Sequence, residues 1–245
     1  PDDVATIIFS SGSTAEPKGI MLSHHNVISN IEAFRMVLRL EPQDKMCCIL
    51  PFFHSFGYTC CLWCPALSGF EAVYHPNPID GATIAEIVRE RRLTILLATP
   101  TFLLAYIRRA KREDFATLRA IITGAEKLRQ KTADVFEERF GIRPMEGYGA
   151  TELSPAAAFS VLDVAVDGVR HKGFKNGSVG HAIPGVTLKV VDPDTGSPLE
   201  VGKDGLLLAK GPNVMLGYLN NPQKTRDVVK DGWYVTGDIA VMDQE

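Results

Sequence analysis

Apolar positions over the first 150 residues follow two different periods. Short continuous apolar runs at 45–50, 94–98 and 120–122 are bounded by Pro, Gly or polar residues, which predicts buried strands. Between these runs, apolar residues recur at spacings of three and four, which predicts helices. Repeated alternation of buried strands with helices indicates an α/β fold, in which a parallel sheet carries helices on both faces.

Caps and apolar stripes mark the predicted helices. Ser23 and Asp80 are typical N-cap residues, and each precedes a stripe of apolar residues at helical spacing. Further helices are predicted at 57–68, 102–110 and 128–140. On the helices after Ser23 and Asp80 and at 128–140, the residues expected to face the core are Val27, Ile28, Ile31, Phe34 and Leu38; Ile84, Ile87 and Val88; and Leu128, Val135, Phe136 and Phe140.

The pattern changes after about residue 175. Gly-, Pro- and Asp-containing turn signals recur there, and short apolar segments at 186–191, 206–209 and 233–235 lie between them. This spacing predicts a small antiparallel β unit. We therefore expect an α/β subdomain over 1–175, followed by a small β subdomain over 176–245.

Composition and charge are ordinary for a globular protein, with 45% hydrophobic residues, 22% charged residues and a net charge of −3. This balance gives no positive field that would favour nucleic acid. The apolar run at 93–107 contains Pro100 and is too short to span a bilayer, and the chain begins without a signal-peptide pattern. We therefore expect a cytoplasmic protein without a nucleic-acid partner.

The cysteines are clustered and odd in number. Two of them form a C-x-x-C pattern, which is compatible with redox or zinc chemistry, but their neighbours are apolar. Because free cysteine behaves as a small hydrophobic residue, we expect reduced thiols that are buried in the core. These residues are Cys47, Cys48, Cys60, Cys61 and Cys64.

The stretch at 10–19 has the composition of a phosphate-binding loop. Small residues and hydroxyls follow an apolar strand directly, and Lys18 adds a positive charge. The spacing approaches the nucleotide-loop pattern G-x-x-x-x-G-K-[ST], with Gly12 in first place. Pro17 and Gly19 occupy the second Gly and the Ser/Thr position, so the loop is not a P-loop in the strict sense. A solvated surface loop is the alternative.

Other polar groups follow the ends of predicted strands. His54, 123–126 and 147–152 lie at such ends, and the carboxyl ends of parallel strands meet at one edge of a sheet. The segment 147–152 offers an aromatic ring for a base, a hydroxyl, and a carboxylate for Mg²⁺. Asp238 follows a strand, where a carboxylate can accept hydrogen bonds from ribose hydroxyls. Ordinary turns, one with a buried Tyr, are the alternatives.

Seven segments, in this order and spacing, resemble the adenylate-forming superfamily, which comprises acyl-CoA synthetases, amino-acid adenylation domains and luciferases. The resemblance covers essentially the whole chain and implies part of the large N-terminal domain of such an enzyme. It leads us to expect a piece that lacks the N-terminal region, the hinge and the C-terminal domain, with little activity alone and a tendency to self-associate. The segments are 10–19, 51–57, 123–126, 147–152, 177–185, 211–218 and 233–238.

The resemblance implies a role for each candidate residue. Catalytic roles fall to Lys18, His54, Thr151 and Glu152, with His54 near the carboxylate of the acid and Thr151 at the α-phosphate. Ala15 stands where the family usually has Gly. The phosphates of ATP are assigned to Ser11, Gly12, Ser13, Thr14 and Lys18, and Mg²⁺ to Thr14 and Glu152. Adenosine is assigned to a wall of Gly124, Ala125 and Glu126 beside adenine and the acyl group, to Tyr148 and Gly149 at the adenine ring, and to Asp238 at the ribose.

The resemblance also implies the reaction. A carboxylate attacks the α-phosphate of ATP, pyrophosphate leaves, and the thiol of coenzyme A or of an acyl carrier protein takes the acyl group. Amino-acid-activating relatives usually hold the ammonium group with an Asp in the stretch that matches 52–59, which here has no carboxylate and is rich in aromatic residues. We therefore expect a fatty acid, with an aryl acid or an amino acid as the alternatives.

Short segments at 96–103, 124–128 and 206–208 are similar to the first of two candidate subgroups. This first subgroup comprises acyl-acyl-carrier-protein synthetases related to the bifunctional 2-acylglycerophosphoethanolamine acyltransferases, and long-chain acyl-CoA ligases are the alternative. The first implies membrane association through a fused acyltransferase. Two further hypotheses belong to other classes: a non-catalytic binding module that kept the fold, and a phosphotransferase that uses the loop at 10–19.

Overall fold

The computed structural model describes residues 1–11, 17–161, 163–171 and 173–244. In chain order the strands are β1 (Val4–Ser11), β2 (Pro17–Ser23), β3 (Lys45–Cys48), β4 (Glu71–Tyr74), β5 (Ile95–Ala98), β6 (Ala120–Thr123), β7 (Met145–Gly149), β8 (Ala156–Phe159), β9 (Val164–Val166), β10 (Val169–His171), β11 (His181–Ala182), β12 (Thr187–Val191), β13 (Asp204–Lys210), β14 (Gly217–Tyr218), β15 (Val229–Lys230) and β16 (Trp233–Val241). The α-helices are α1 (His24–Leu38), α2 (Cys64–Ser68), α3 (Gly81–Arg91), α4 (Pro100–Arg109), α5 (Gln130–Phe140) and α6 (Pro222–Val228).

The large sheet has the strand order β11-β8-β7-β6-β5-β3-β4 within the described ranges. Strands β4, β3, β5, β6 and β7 are parallel, while β8 and β11 extend the sheet in antiparallel fashion. Successive residues of a strand point to opposite faces. Accordingly, Leu97 packs in one core with Phe34 of α1, while Leu96 packs in the other with Tyr106 of α4 and Phe136 of α5. The predicted α/β fold, with helices on both faces, is confirmed.

The predicted helix caps are confirmed. The hydroxyl of Ser23 accepts a hydrogen bond from the backbone N–H of Asn26, and the Asn26 side chain accepts one from the N–H of Ser23 in return. The carboxylate of Asp80 accepts a hydrogen bond from the N–H of Thr83. Each bond satisfies a donor that a helix N-terminus otherwise leaves without a partner. These short-range bonds fix where α1 and α3 begin.

Two residues predicted to face the core are exposed instead. Ile28 is 45% exposed and Val135 is 37% exposed, while their neighbours Val27 and Phe136 are buried. Adjacent residues on an α-helix are 100° apart, so a narrow buried stripe takes only one of each pair. The helix predicted at 57–68 is confirmed, although its first part, Gly57–Trp63, is π-helical and continues directly into α2.

Smaller sheets surround the large one. In the described residues β12, β13, β16 and β15 form an antiparallel sheet, which confirms the small β unit predicted after residue 175. Strand β14 pairs instead with β2, which also pairs with β1, and β9 pairs with β10. The C-terminal segment therefore completes a sheet that begins at the N-terminus. The division into subdomains at 1–175 and 176–245 stays a prediction.

The cysteine thiols lie in the core, as predicted. Each is buried, and in the described structure none is in a disulfide. Burial raises the pKa of Cys47 and of Cys64 to about 12, so both thiols are protonated at neutral pH. The described residues contain no group of three or more His, Cys, Asp or Glu side chains arranged to hold a metal ion. They also include no helix with the length and apolar character needed to cross a membrane.

Candidate functional site

A cavity of about 220 Å³ opens at the carboxyl ends of β6 and β7 and beside the segment that follows β3. This is the edge of the large sheet at which the sequence predicted a site. Segments that are distant in sequence meet there, including His54, 123–125 and 147–151. The lining residues are His54, Ser55, Phe56, Thr123, Gly124, Ala125, Gly147, Tyr148, Gly149, Ala150, Thr151, Pro155, Ala156 and Phe159.

Close backbone packing shapes the walls of the cavity. A Cβ atom added to Gly149 would lie 2.0 Å from the carbonyl oxygen of Pro155, so only glycine fits there. Ala125 has a φ of 67°, in the left-handed region that a side chain rarely adopts. Glu126, next in the chain, does not line the cavity, and its carboxylate accepts a 2.6 Å hydrogen bond from the hydroxyl of Thr101. Gly124 and Ala125 therefore form the wall, and Glu126 braces it against α4.

His54 and Thr151 lie on the rim and are joined by a residue that sequence reasoning missed. The buried hydroxyl of Ser55 lies 3.3 Å from the hydroxyl of Thr151. His54 Nδ1 accepts a hydrogen bond from the N–H of Phe56 at 3.2 Å. More than a third of His54 is exposed, and removal of water from the remainder lowers its pKa. The ring is therefore neutral at pH 7, with its proton on Nε2.

Tyr148, which lines the cavity, contacts Asp238, although the two residues are 90 positions apart in the chain. The Tyr148 hydroxyl donates a 2.5 Å hydrogen bond to Asp238 Oδ2. Thr236 accepts a hydrogen bond from the N–H of Asp238 at 3.0 Å, which holds the turn at the carboxylate. Burial of Tyr148, and then its contact with Asp238, raises the pKa of the phenol. An aromatic ring that lines the cavity and an exposed carboxylate are thus in direct contact.

Glu152 is almost fully buried. Its Oε1 accepts a hydrogen bond from the hydroxyl of Tyr218 at 2.9 Å, and Tyr218 is in turn hydrogen-bonded to Tyr234. Burial and the nearby carboxylate raise the pKa of both phenols. Sequence reasoning did not assign Tyr218, although it lies in one of the segments, 211–218, that carried the family resemblance.

Buried asparagines hold the loop that carries Glu152. The side-chain amides of Asn30 and Asn213 both donate to the carbonyl oxygens of Leu153 and Ala156. Asn26, one turn before Asn30, donates to two carbonyls of the neighbouring segment 211–215. The sequence did contain a signal for the helical pair, since Asn26 and Asn30 lie at four-residue spacing before Phe34 of the predicted apolar stripe.

The phosphate-loop candidates are only partly described. Ser11 ends β1 and pairs in the backbone with Pro17 at the start of β2. Gly12, Ser13 and Thr14, together with Ala15, lie outside the described residues. Lys18 is described, and its Nζ lies 5.6 Å from the centroid of the Tyr218 ring. The lysine of the predicted loop is therefore close to the tyrosine that binds Glu152.

The oxygen donors at Glu152 and Thr151 are compatible with Mg²⁺. This ion prefers oxygen ligands and is usually held by one or two carboxylates together with the phosphates of a nucleotide. Oε1 of the Glu152 carboxylate accepts a hydrogen bond from the Tyr218 hydroxyl, and within the described ranges Oε2 accepts none, which leaves that oxygen for a ligand. The residues present thus fit a metal that arrives with the nucleotide.

Comparison with known proteins gives one consistent result. A family model described as AMP-binding enzyme matches residues 1–219. The chain is 35% identical over 250 residues to a probable 4-coumarate–CoA ligase 1 of Dictyostelium discoideum, covering 99% of this chain and 44% of that protein. It is 31% identical over 252 residues to a long-chain-fatty-acid–CoA ligase of Bacillus subtilis (strain 168), covering 99% and 42%.

Solved structures agree with these matches. Apo MatB from Rhodopseudomonas palustris superposes with a TM-score of 0.88 at 31% identity, over 99% of this chain and 46% of that one. The chain thus spans less than half the length of the relatives it matches.

Proposed function

The chain belongs to the AMP-binding enzyme family, and from that premise we propose that it forms the nucleotide- and acid-binding part of an acid–CoA ligase. In this proposal a carboxylate oxygen of the acid attacks the α-phosphorus of ATP. The bond between the α-phosphorus and the bridging oxygen breaks, and pyrophosphate leaves. The sulfur of a thiol then attacks the acyl carbon, and AMP leaves.

One observation carries this proposal: four separate segments converge on one cavity, and one of its lining residues, Tyr148, is hydrogen-bonded to Asp238. Tyr148 offers a ring face to adenine, and the exposed Asp238 carboxylate accepts from ribose hydroxyls. The neutral ring of His54 donates its Nε2–H to the carboxylate of the acid. Thr151 donates its hydroxyl to the α-phosphate, where negative charge concentrates during the reaction.

Charge neutralisation at the phosphates is the other requirement of this chemistry. Glu152 would hold Mg²⁺, which neutralises the phosphate oxygens when it is bound. Lys18 supplies a positive charge near Tyr218, on the same side of the site as Glu152. Phosphoryl chemistry depends mainly on positioning and electrostatics, so the residues need to hold groups rather than react with them.

The lining of the cavity supports an acid without an ammonium group. The lining residues include no Asp, Glu, Lys or Arg among the described residues, so a buried α-ammonium would lack a partner. We propose a fatty acid as the substrate. Of the aromatic residues in 52–59 that suggested an apolar acid, only Phe56 lines the cavity, and Phe53 is 82% exposed.

An aromatic acid is the second candidate, and a specific observation favours it. The rings of Phe56, Tyr148 and Phe159 line the cavity together, and planar acids stack well on such rings. Several similar proteins are named 4-coumarate–CoA ligases. A fatty acid and an aromatic acid therefore belong in the same substrate panel.

The acceptor and the setting are further parts of the proposal. We propose coenzyme A as the thiol, with an acyl carrier protein as the alternative, in the cytoplasm. Membrane association through a fused acyltransferase and self-association of the chain stay proposals. Light scattering of the chain over a range of concentrations tests self-association directly.

A product assay tests the reaction. The protein that carries this chain is incubated with ATP, Mg²⁺, coenzyme A and a panel of fatty, aromatic and amino acids. AMP and pyrophosphate, formed only when an acid is present, would support the ligase. ADP would indicate a phosphotransferase instead, and nucleotide binding without turnover of any acid would indicate a binding module.

A further inference from the structure

Lys224 lies beside the phosphate side of the site, although no sequence pattern marked it. Its Nζ is 5.6 Å from the centroid of the Tyr218 ring, the same distance as Nζ of Lys18. Lys18 comes from β2, next to the predicted phosphate loop, while Lys224 comes from α6, about 200 positions later in the chain. Two ammonium groups from distant segments thus approach one aromatic ring.

Hydrogen bonds fix α6 against Tyr218. The Asn221 side chain accepts from the N–H of Lys224 at 3.0 Å and so caps the helix. The hydroxyl of Thr225 accepts from the N–H of Tyr218 at 2.9 Å and donates to the carbonyl of Asn221. Because these bonds hold the backbone on both sides of Lys224, its side chain begins from a fixed point beside the ring.

The charges around Tyr218 are unbalanced. Its hydroxyl donates to the single carboxylate of Glu152, while two ammonium groups lie near its ring. Among the described residues, no salt bridge is formed by Lys18 or by Lys224. Both side chains are partly buried, so water screens them less than it screens a fully exposed lysine. The arrangement favours a ligand with several negative charges.

We propose that Lys224 binds the β- and γ-phosphates of the nucleoside triphosphate together with Lys18, and binds pyrophosphate before it leaves. This proposal rests on the proposed function, because it takes the nucleotide to lie with its triphosphate beside Glu152. Two ammonium groups match the charge of a pyrophosphate group better than one does. AMP, which lacks those phosphates, gains nothing from Lys224.

Equilibrium binding to the chain tests the role of Lys224. Dissociation constants are measured by calorimetry for Mg-ATP, Mg-pyrophosphate and AMP, with the wild type, Lys224→Ala, Lys224→Arg and Lys18→Ala. We expect Lys224→Ala to lower the affinity for Mg-ATP and for Mg-pyrophosphate about fivefold or more, and the affinity for AMP by less than about twofold. Lys224→Arg keeps the charge and is expected to retain most of the affinity for both phosphate ligands.

Lys230→Ala is the matched control, because Lys230 is an exposed lysine that lies just after α6. It should change none of the three affinities, and thermal melting should show that every variant folds. Unchanged Mg-ATP and Mg-pyrophosphate affinity in Lys224→Ala would overturn the phosphate role, as would an equal loss for AMP. If the wild-type chain binds AMP, either result leaves the proposed function standing. Failure of the folded wild-type chain to bind AMP would overturn the proposed function and the role of Lys224 with it.

Discussion

Two tyrosine–carboxylate pairs border the candidate site, and they differ mainly in the exposure of the carboxylate. Tyr148 donates to Asp238, which is exposed, across 2.5 Å. Tyr218 donates to Glu152, which is only 9% exposed, across 2.9 Å. Asp238 lies within β16, where the pairing with β13 is irregular between Val235 and Ile239. The loop of Glu152 is instead held by Asn30 and Asn213.

The difference in burial separates two uses of the same pair of groups. Water can replace the partner of an exposed carboxylate at little free-energy cost, so Asp238 can exchange Tyr148 for the hydroxyls of a ligand. A buried carboxylate without its donor is much less stable. The Tyr218–Glu152 pair is therefore part of the fixed frame of the candidate site, and the Tyr148–Asp238 pair can rearrange when a ligand binds.

The largest expected effect follows from removal of the Glu152 charge. Glu152→Gln keeps the size of the side chain, and we expect it to lower the rate of ATP–pyrophosphate exchange by about 10²–10³ in the protein that carries this chain. The physical reason is the loss of the carboxylate that would hold Mg²⁺ at the phosphates. Glu200→Gln, at an exposed position of the small β unit, is the control. An exchange rate within about threefold of wild type for Glu152→Gln would contradict the metal role.

Loss of the Tyr218 hydroxyl should affect stability next. Tyr218→Phe leaves Glu152 buried without its donor, and we expect the free energy of unfolding to fall by about 1–3 kcal/mol. Tyr148→Phe removes the corresponding hydroxyl from the pair with the exposed carboxylate, and it should lower the free energy of unfolding by less than about 1 kcal/mol. Urea unfolding of the two variants, followed by circular dichroism, makes the comparison. Equal losses would show that burial does not distinguish the pairs.

Alkaline pH provides a third test of the buried pair. Burial raises the pKa of Tyr218 and of Tyr234 above the ordinary value of 10.0. The unfolded chain therefore releases these protons first as pH rises, so the stability that the phenols contribute is complete below pH 10 and is lost above it. The expected slope is at most about 1.4 kcal/mol per pH unit for each phenol. Urea unfolding between about pH 8 and 11 should show a smaller slope in Tyr218→Phe; an unchanged slope would argue against the raised pKa.

The smallest change in stability is expected at Asp238. Asp238→Asn should leave the free energy of unfolding within about 0.5 kcal/mol of wild type, because the carboxylate is exposed. Its affinity for AMP should nevertheless fall about tenfold, since a charged acceptor for the ribose hydroxyls is lost. The control ligand is 2′,3′-dideoxy-AMP, which lacks the ribose hydroxyls. Calorimetry should show that Asp238→Asn and the wild type bind it with the same affinity. A similar loss for both ligands would show that Asp238 does not bind ribose.

The sequence was most informative where the signal is local. Caps such as Ser23 and Asp80 are visible within four residues, and strand ends placed His54 and Tyr148 at the same edge of the sheet. The inward faces of helices were less certain, because apolar residues at neighbouring positions, such as Val135 and Phe136, give the same composition whichever of them is buried.

Pairings between distant residues were not predictable in the same way. Tyr218 and Glu152 are 66 positions apart, and Asn30 donates to a carbonyl 123 positions away. No periodicity or short motif relates such positions, because their contact depends on how the sheets pack. The position of Lys224 belongs to this group, since only the folded arrangement brings α6 close to β2.

The pairing of β14 with β2 has a consequence for the order of folding. Asn26, which follows β2, donates to the carbonyl of Val214 across 188 positions of the chain, next to that strand pairing. Contacts between such distant residues form slowly, because closing a long loop loses much chain entropy before the contact adds stability. During synthesis from the N-terminus, β1 and β2 emerge long before Gly217 and Tyr218 do. The Tyr218–Glu152 side of the candidate site is therefore assembled only after β14 has emerged, and nascent chains that end before β14 would expose the unpaired edge of β2 to chaperones or to other chains.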